Sequence, residues 1–230
     1  MLNFLRKLRR KEGNTGRYFQ YALGEIILVV IGILIAVNIN NWNENRKIKI
    51  KEDQLLSKLK TENELNTAEL VNDSSYHTSV DMIATRLHRA LSAGRSAKND
   101  SIIETELIAL NRSVLYTFSS KYLERYIENS EFDSDELVDE LVELREYQKN
   151  LSKVSQLSFD FKFDRILPYL EDYVDPYTGE ISNIQALRTN AFINRVVILE
   201  NLLIAEVEIY EACLQMHLHL DSLLTVRLGK

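Results

Sequence analysis

The sequence predicts an all-α protein, in which one N-terminal transmembrane helix precedes an antiparallel bundle of about three long helices with short connecting helices. Three observations support this fold class. Between Tyr18 and Trp42 the chain contains an apolar run long enough to cross a bilayer. Only seven glycines and two prolines occur in 230 residues, so few turns interrupt the chain. Beyond Trp42, apolar residues recur at three- and four-residue intervals, which is typical of amphipathic helices.

The predicted membrane helix covers residues 21–41 and follows a basic stub formed by residues 1–20. No polar side chain interrupts the run from Ile26 to Val37. The whole predicted helix, residues 21–41, reaches about 31 Å, close to the thickness of the hydrocarbon core of a bilayer. Because no small-x-small cleavage site follows the run, we expect a permanent anchor in membrane lipid and not a cleaved signal peptide.

Aromatic side chains stand at both ends of this helix, where the membrane meets water. Such residues prefer the headgroup boundary, and we therefore expect them to act as interface anchors. They are Tyr18, Phe19, Tyr21 and Trp42.

Charge is distributed unevenly along the chain. Residues 1–42 contain six basic and two acidic side chains, whereas the whole chain has a net charge of -6. The remaining 188 residues therefore carry -10, and an acidic region of this kind is a poor partner for nucleic acid. Only four basic residues follow the span within about 15 positions, so we expect the N-terminus in the cytoplasm and residues 42–230 on the other side.

Helical spacing continues through the first half of the distal region. A helix is predicted from residue 43 to about residue 91, continuous with the membrane helix. Short helices are predicted at residues 102–110 and 114–127, with Asp100 or Ser101 as the N-cap of the first.

Two more long helices are predicted in the second half. One runs from about Leu137 to a stop at Pro168, because proline ends a helical pattern. The other runs from about Ser182 to the C-terminus. Its segment from Val196 to Tyr210 is apolar on more than half of its circumference, so we expect this helix to be central.

Glu25 is the residue of the span with the clearest chemical interest, because a carboxyl group inside a membrane is costly and often marks a proton or ion path. It shares a helix face with Gly32 and Ala36, a small-xxx-small pair that lets a second helix approach closely. This face predicts self-association with Glu25 facing inward. The alternative is that Glu25 reaches the headgroups or a neighbouring basic side chain from one turn inside the membrane.

No pattern in the chain predicts a catalytic, cofactor or metal site. His217 and His219 point about 200° apart on a helix and so cannot bind one metal ion together. The single cysteine, Cys213, excludes an intrachain disulfide, and neither Gly-x-Ser-x-Gly nor a phosphate-binding loop occurs. Aromatic residues from Tyr116 onward could line a ligand pocket, although core packing explains their helical spacing more simply. We therefore expect no enzyme activity.

The span and its C-terminal flank resemble a family signature. The residues that carry the resemblance are Gly24 to Ala36, GEIILVVIGILIA, followed by Asn38, Ile39, Asn40, Asn41, Trp42, Asn43 and Glu44. They are similar to a large family of uncharacterised single-span membrane proteins from Gram-negative bacteria, grouped as a domain of unknown function. The resemblance covers about residues 4–60 and implies a membrane location. It brings no activity or cofactor, and it marks Asn41, Asn43 and Glu44 as a juxtamembrane motif.

Together, these observations predict a scaffold or interaction protein of the bacterial inner membrane, with its helical region in the periplasm. It would act through a protein partner or as a homo-oligomer. Two alternatives stay open. The bundle could sense a small ligand between its helices and pass a shift through the continuous first helix. The layout of stub, span and distal region also resembles a stator-like subunit of a proton-driven complex, with Glu25 as its intramembrane carboxylate.

Overall fold

The computed structural model describes residues 2–129, 135–175, 178 and 180–229, with side chains described from Phe19 onward apart from those of Gln20 and Asp135. The predicted anchor Tyr18 and the side chains of the basic stub other than Phe19 therefore lie outside the described side chains. Within the described ranges the structure is all-helical and contains no strand, only a β-bridge between Val174 and Ile181. The chain forms two compact units, Met1–Asp53 and Gln54–Lys230, called here the N-terminal unit and the distal unit.

Helix α1 (Leu2–Asn72) is the long N-terminal helix, and its last part, from Gln54, belongs to the distal unit. The apolar run from Ile26 to Val37 is exposed along its whole length. By length and composition, one segment of this helix is able to cross a membrane, and none of its most apolar window is buried within the protein. A long apolar helix near the N-terminus is thus confirmed.

The distal unit consists of the last part of α1 and the helices that follow it. These are α2 (Ser74–His77), α3 (Val80–Ser92), α4 (Ala97–Leu110), α5 (Lys121–Ile127), α6 (Asp135–Phe161), a π-helical turn (Lys162–Ile166), α7 (Leu167–Tyr173), α8 (Ile184–Leu187) and α9 (Asn190–Arg227). Helix α9 packs against both α6 and α3, and α3 also packs against α4. Its buried side runs from Phe192 to Leu224, which explains why so much of its circumference is apolar.

Apolar clusters fill the distal unit, and two of them can be defined fully from the residues that the structure describes. The larger lies between α3, α4 and the first half of α9, where Leu87, Leu107 and Leu199 are completely or almost completely buried. The smaller lies between α1, α6 and the middle of α9, and it includes Leu70 and Cys213. Burial of this kind is the main favourable contribution to folding, at about 25 cal/mol per Å² of apolar surface.

The predicted helix over residues 43–91 is confirmed to Asn72 and again from Val80, but it is not continuous, because α1 ends at Asn72 and α3 begins only at Val80. The Ser79 hydroxyl donates to the carbonyl oxygens of Ser75 (3.0 Å) and Tyr76 (3.2 Å). Such local bonds compete with a continuous helix and favour a turn. The intervening turn buries Tyr76 and the histidine after it.

The predicted helix over residues 114–127 is also wrong before Lys121, since residues 112–120 form no regular secondary structure. The N-cap of the preceding helix is Ser96, whose hydroxyl accepts from the Asn99 amide at 3.1 Å, and not Asp100 or Ser101. Asp100 instead binds Arg188 at 3.0 Å.

Pro168 does not stop the second long helix of the distal region. It lies in the first turn of α7, where the missing amide of proline leaves no hydrogen bond unmade. The π-helical turn from Lys162 to Ile166 joins α6 to α7. The last predicted helix is divided in two, because Thr189 caps a new helix by accepting from the Phe192 amide.

Arg188 joins the start of α9 to the end of α3. Its Nη1 donates to the carbonyl oxygens of Ala90 (2.9 Å), Leu91 (3.1 Å) and Ala93 (2.6 Å), while Nη2 donates to Asp100. The last carbonyls of a helix have no partner within that helix, so the guanidinium completes the C-terminus of α3.

Replacing Arg188 by Ala should therefore lower the free energy of unfolding by about 3 kcal/mol, since the partly buried Asp100 carboxylate and three carbonyls lose their donor. Arg95 gives the matched control: it approaches the same carboxylate, but its side chain is 75% exposed against 7% for Arg188. Arg95→Ala should cost less than about 1 kcal/mol. Denaturant unfolding followed by circular dichroism measures both, and equal losses would contradict the proposed role of Arg188.

Candidate functional site

The residues predicted for helix packing lie on the exposed surface of α1. Glu25, Gly32 and Ala36 share one face of this helix, and a Cβ atom added at Gly32 would meet nothing within 4 Å. Beside Glu25, Ala22, Val29 and neighbouring side chains outline a shallow groove. Within the described N-terminal unit, this face is open to contact with another molecule.

The predicted anchors and the juxtamembrane motif are exposed as well. Phe19, Tyr21 and Trp42 project from the helix, and the Arg46 guanidinium lies 5.9 Å from the centre of the Trp42 ring. Asn41 and Asn43 are exposed, while Glu44 accepts a hydrogen bond from Asn40 at 3.2 Å. Both residues of that contact lie in α1, so it does not connect the juxtamembrane motif to another helix.

In the distal unit, α1 presents a buried polar face that sequence reasoning missed. Glu62 accepts from the amides of Tyr122 and Leu123, each at 3.0 Å, and from the Ser119 hydroxyl at 3.1 Å. A carboxylate at this place caps the N-terminus of α5, where unpaired amides and the helix dipole favour negative charge.

Asn66 fixes the same segment one turn further along α1. Its Nδ2 donates to the Ser119 carbonyl at 2.8 Å, and its Oδ1 accepts from the Ser119 amide at 3.1 Å. The two bonds satisfy both backbone groups of one residue, as a neighbouring strand would. Residues 112–120 are therefore held extended against α1.

His217 of α9 is bound by α1 on one side and by α6 on the other. Its Nδ1 lies 2.7 Å from Asn63 Oδ1, and its Nε2 lies 3.1 Å from Gln148 Nε2. These distances assign the tautomer in which Nδ1 donates and Nε2 accepts. Burial lowers the pKa of His217 to about 4, so the ring is neutral at pH 7.

Five rings form a continuous stack through the middle of the distal unit, called here the ring stack. Their centroid separations are 3.9 Å, 5.6 Å, 6.0 Å and 5.7 Å along the order Tyr210, His77, Tyr116, Phe118 and His217. The His77 Nε2 also lies 2.6 Å from the Tyr116 hydroxyl oxygen, and burial, followed by the charge of Arg112, lowers the pKa of His77 to about 4. The stack joins α2, the extended segment and α9.

Lys162 and Glu206 form a second buried polar group behind the ring stack. Lys162, in the π-helical turn, donates to the Arg112 carbonyl at 2.7 Å, and burial lowers its pKa to about 8. Neither carboxyl oxygen of Glu206 has a partner in good hydrogen-bond geometry, and burial raises the pKa of this group, opposed by the nearby Ser158 hydroxyl and by the charge of Lys162. Packing gives no reason for a carboxyl group here, since an apolar residue would avoid the desolvation cost.

A cleft of about 550 Å³ lies between α6 and the extended segment, open to solvent. Its floor includes Tyr116 and Phe118 of the ring stack, and one side consists of cations that recur every four residues along α6. The lining residues are Tyr116, Thr117, Phe118, Ser120, Glu124, Arg145, Gln148, Lys149, Ser152, Lys153 and Gln156.

Among the residues whose positions are described, no group of three or more His, Cys, Asp or Glu side chains is placed to hold a metal ion. No protein-family model, curated protein or solved structure matches the chain. The resemblance of the span to the single-span bacterial family therefore stays a prediction.

The buried neutral histidines make stability depend on pH. A lowered histidine pKa means that the unfolded chain binds more protons, so the free energy of unfolding should fall as pH drops from about 6.5 to about 4, by up to about 3 kcal/mol for each ring. His217→Gln should remove the part of this pH-dependent loss of stability that His217 causes. Glu206 acts in the opposite direction in both proteins, because its raised pKa favours the protonated folded state.

Denaturant unfolding at a series of pH values gives the measurement, with the difference between wild type and variant as the result. The control is His219→Gln, which makes the same change at a half-exposed ring of the same helix. Parallel pH curves for the wild type and His217→Gln would contradict the neutral buried ring.

Proposed function

We propose that the chain is a single-span membrane protein whose distal helical bundle acts by binding a protein partner or a second copy of itself. The observation that supports this most is the exposed apolar run from Ile26 to Val37. Exposed apolar surface costs about 25 cal/mol per Å² in water, and a bilayer removes this cost. The acidic distal unit supplies the surface that remains in water.

The proposed location is the bacterial inner membrane, with the N-terminus in the cytoplasm and the distal unit in the periplasm. The basic side chains before the span support this orientation. The resemblance of residues 24–44 to the Gram-negative single-span family supports a location in the membrane.

We propose binding and not catalysis because several buried polar side chains of the distal unit have structural roles. Glu62 and Asn66 hold the extended segment, and Arg188 completes a helix end. His217 is saturated by Asn63 and Gln148. These groups are engaged with the chain itself, which leaves the surfaces to interact with other molecules.

A sensory role is the second candidate, and the cleft beside α6 favours it. Gln148 lines the cleft and contacts His217, which in turn contacts Asn63 of α1. A molecule in the cleft would thus lie two side chains away from α1. An anchored helix in contact with a ligand site is the arrangement that a sensor needs.

The anchoring proposal predicts that the full chain stays with the membrane pellet after alkaline carbonate treatment. Val30→Arg combined with Leu34→Arg places two charges in the middle of the run, at an insertion cost of about 5–7 kcal/mol, and should release the protein. The control replaces two exposed apolar residues of the distal unit, Leu65 and Val226, by Arg. Release of the wild-type chain would contradict an anchor.

Self-association through the small-residue face predicts disulfide-linked dimers from single introduced cysteines. Val29→Cys and Ile39→Cys lie on the face of Gly32 and should crosslink in membranes, whereas Ile27→Cys and Leu34→Cys point to the opposite side and should not. The natural Cys213 is buried and does not interfere.

Adding Gly32→Leu to the Val29→Cys chain gives the matched control for this experiment. The larger side chain keeps two helices apart, so the yield of dimer should fall several-fold. Equal crosslinking from both sides of the helix, or none from either, would contradict a dimer through this face.

A further inference from the structure

The cleft beside α6 has the size and the wall composition of a small-molecule site. Its volume of about 550 Å³ is within the range of ligand pockets, which extends over roughly 300–1,000 Å³. Aromatic rings form one wall, and a few polar groups converge on it, among them Ser120, Ser152 and Gln156. Ligand sites are built in this way, because the apolar wall supplies affinity and the polar groups fix orientation.

The charge of the cleft is opposite to that of its surroundings. Residues 43–230 carry a net charge of -10, yet the lining contains three cations, Arg145, Lys149 and Lys153, and one carboxylate, Glu124. Glu146 contacts Arg145 and Lys149 beside the cleft, so three cations face two carboxylates and a small excess of positive charge remains. In an acidic domain this excess favours an anion at this place over the rest of the surface.

Two cations of the cleft, Lys149 and Lys153, are exposed, whereas Arg145 is partly covered. Arg145 binds Glu124 through Nη1 at 3.1 Å, but its Nε is buried without a hydrogen bond, and the Glu146 carboxylate lies 3.6 Å from it. Lys149 contacts Glu146 at 3.1 Å, whereas Lys153 is exposed and has no ion-pair partner among the described residues. An anion would neutralise Lys153 and compete with Glu146 for Lys149, while the buried Nε of Arg145 adds positive charge without a direct contact.

The aromatic wall is fixed before any ligand arrives. Tyr116 is held by its hydroxyl contact with His77, and Phe118 stacks between Tyr116 and His217. Rigid aromatic walls bind without a large ordering cost, and flat groups pack on them at favourable ring separations. The wall therefore suits a planar apolar group beside the cationic side of α6.

We infer that this cleft binds a small soluble anion that carries a flat apolar group, of the class of aryl phosphates and aryl carboxylates. The phosphate or carboxylate binds Lys149 and Lys153, beside the positive charge of Arg145. The flat group packs against the accessible edge of Phe118, whose ring faces already stack on Tyr116 and His217. The inference gives a ligand class to the sensory candidate, and it needs neither the bilayer nor self-association to be correct.

Phenyl phosphate is the probe, titrated by calorimetry into the full chain in dodecyl maltoside micelles. This nonionic detergent holds the protein whether or not its apolar helix crosses a bilayer, so failure here and failure of the anchor are distinguishable. The expected result is one-site binding with a dissociation constant below about 1 mM, as the size of the probe allows. Absence of binding would overturn the inference.

Lys149→Gln and Lys153→Gln should each weaken binding about fivefold or more, because each removes a charge-assisted contact. Both side chains are exposed, so the variants should fold. Lys98→Gln is the matched control, since it removes one lysine charge from α4, outside the cleft, and should leave affinity unchanged. Equal affinity in the cleft variants and the control would overturn the site.

Three competitor probes test the two parts of the ligand. Inorganic phosphate and phenol should each bind at least about tenfold more weakly than phenyl phosphate. Equal affinity for inorganic phosphate would overturn the role of the flat group, and equal affinity for phenol would overturn the role of the charge. Displacement of the probe by phosphatidylglycerol added to the micelles would make the cleft a lipid headgroup site and overturn a soluble ligand.

Discussion

The distal unit depends on the pairing of three polar side chains that α1 buries. Glu62, Asn63 and Asn66 lose their water on folding, and each would cost about 1–3 kcal/mol or more if it were left without partners. Only a segment that offers amides and a carbonyl at the right places can satisfy them. The start of α5 and Ser119 do this for Glu62 and Asn66. The constraint therefore fixes both the path of the chain after α4 and the position of α9, through Asn63.

The ring stack and the cleft follow from this constraint. Because residues 112–120 are extended, Tyr116 and Phe118 point to the same side and enter the stack beside His77 and His217. A helix at this place would have separated the two rings by about 200°. The cleft lies between this segment and α6, with Tyr116 and Phe118 among its lining residues. The path of residues 112–120 therefore contributes both to the ring stack and to the candidate site.

Periodicity predicted the parts of the fold in which a helix buries a continuous apolar side. The apolar run of α1 and the buried side of α9 are of this kind. It failed wherever a distant side chain decided the outcome: Asn66 holds Ser119 in place of a helix, and Asp100 binds Arg188 and caps nothing. The polar face of α1 did leave a signal. Asn63 and Asn66 continue the spacing of Leu59 and Leu70, so polar residues in the phase of an apolar side indicate buried partners.

A ligand in the cleft can shift the distal unit between two conformations only by the difference between its binding free energies for them. Phe118 and Gln148 are the two lining residues that contact His217, and His217 contacts α1 through Asn63. A ligand that packs on Phe118 and competes for Gln148 would leave the Nε2 of His217 without its donor. An unpaired nitrogen of this kind raises the free energy of the bound arrangement by about 1–3 kcal/mol, which corresponds to a factor of about 5–150 in population. Under the sensory proposal, the cleft and α1 would be coupled through one buried histidine, and the size of that coupling would be the free energy of its hydrogen bonds.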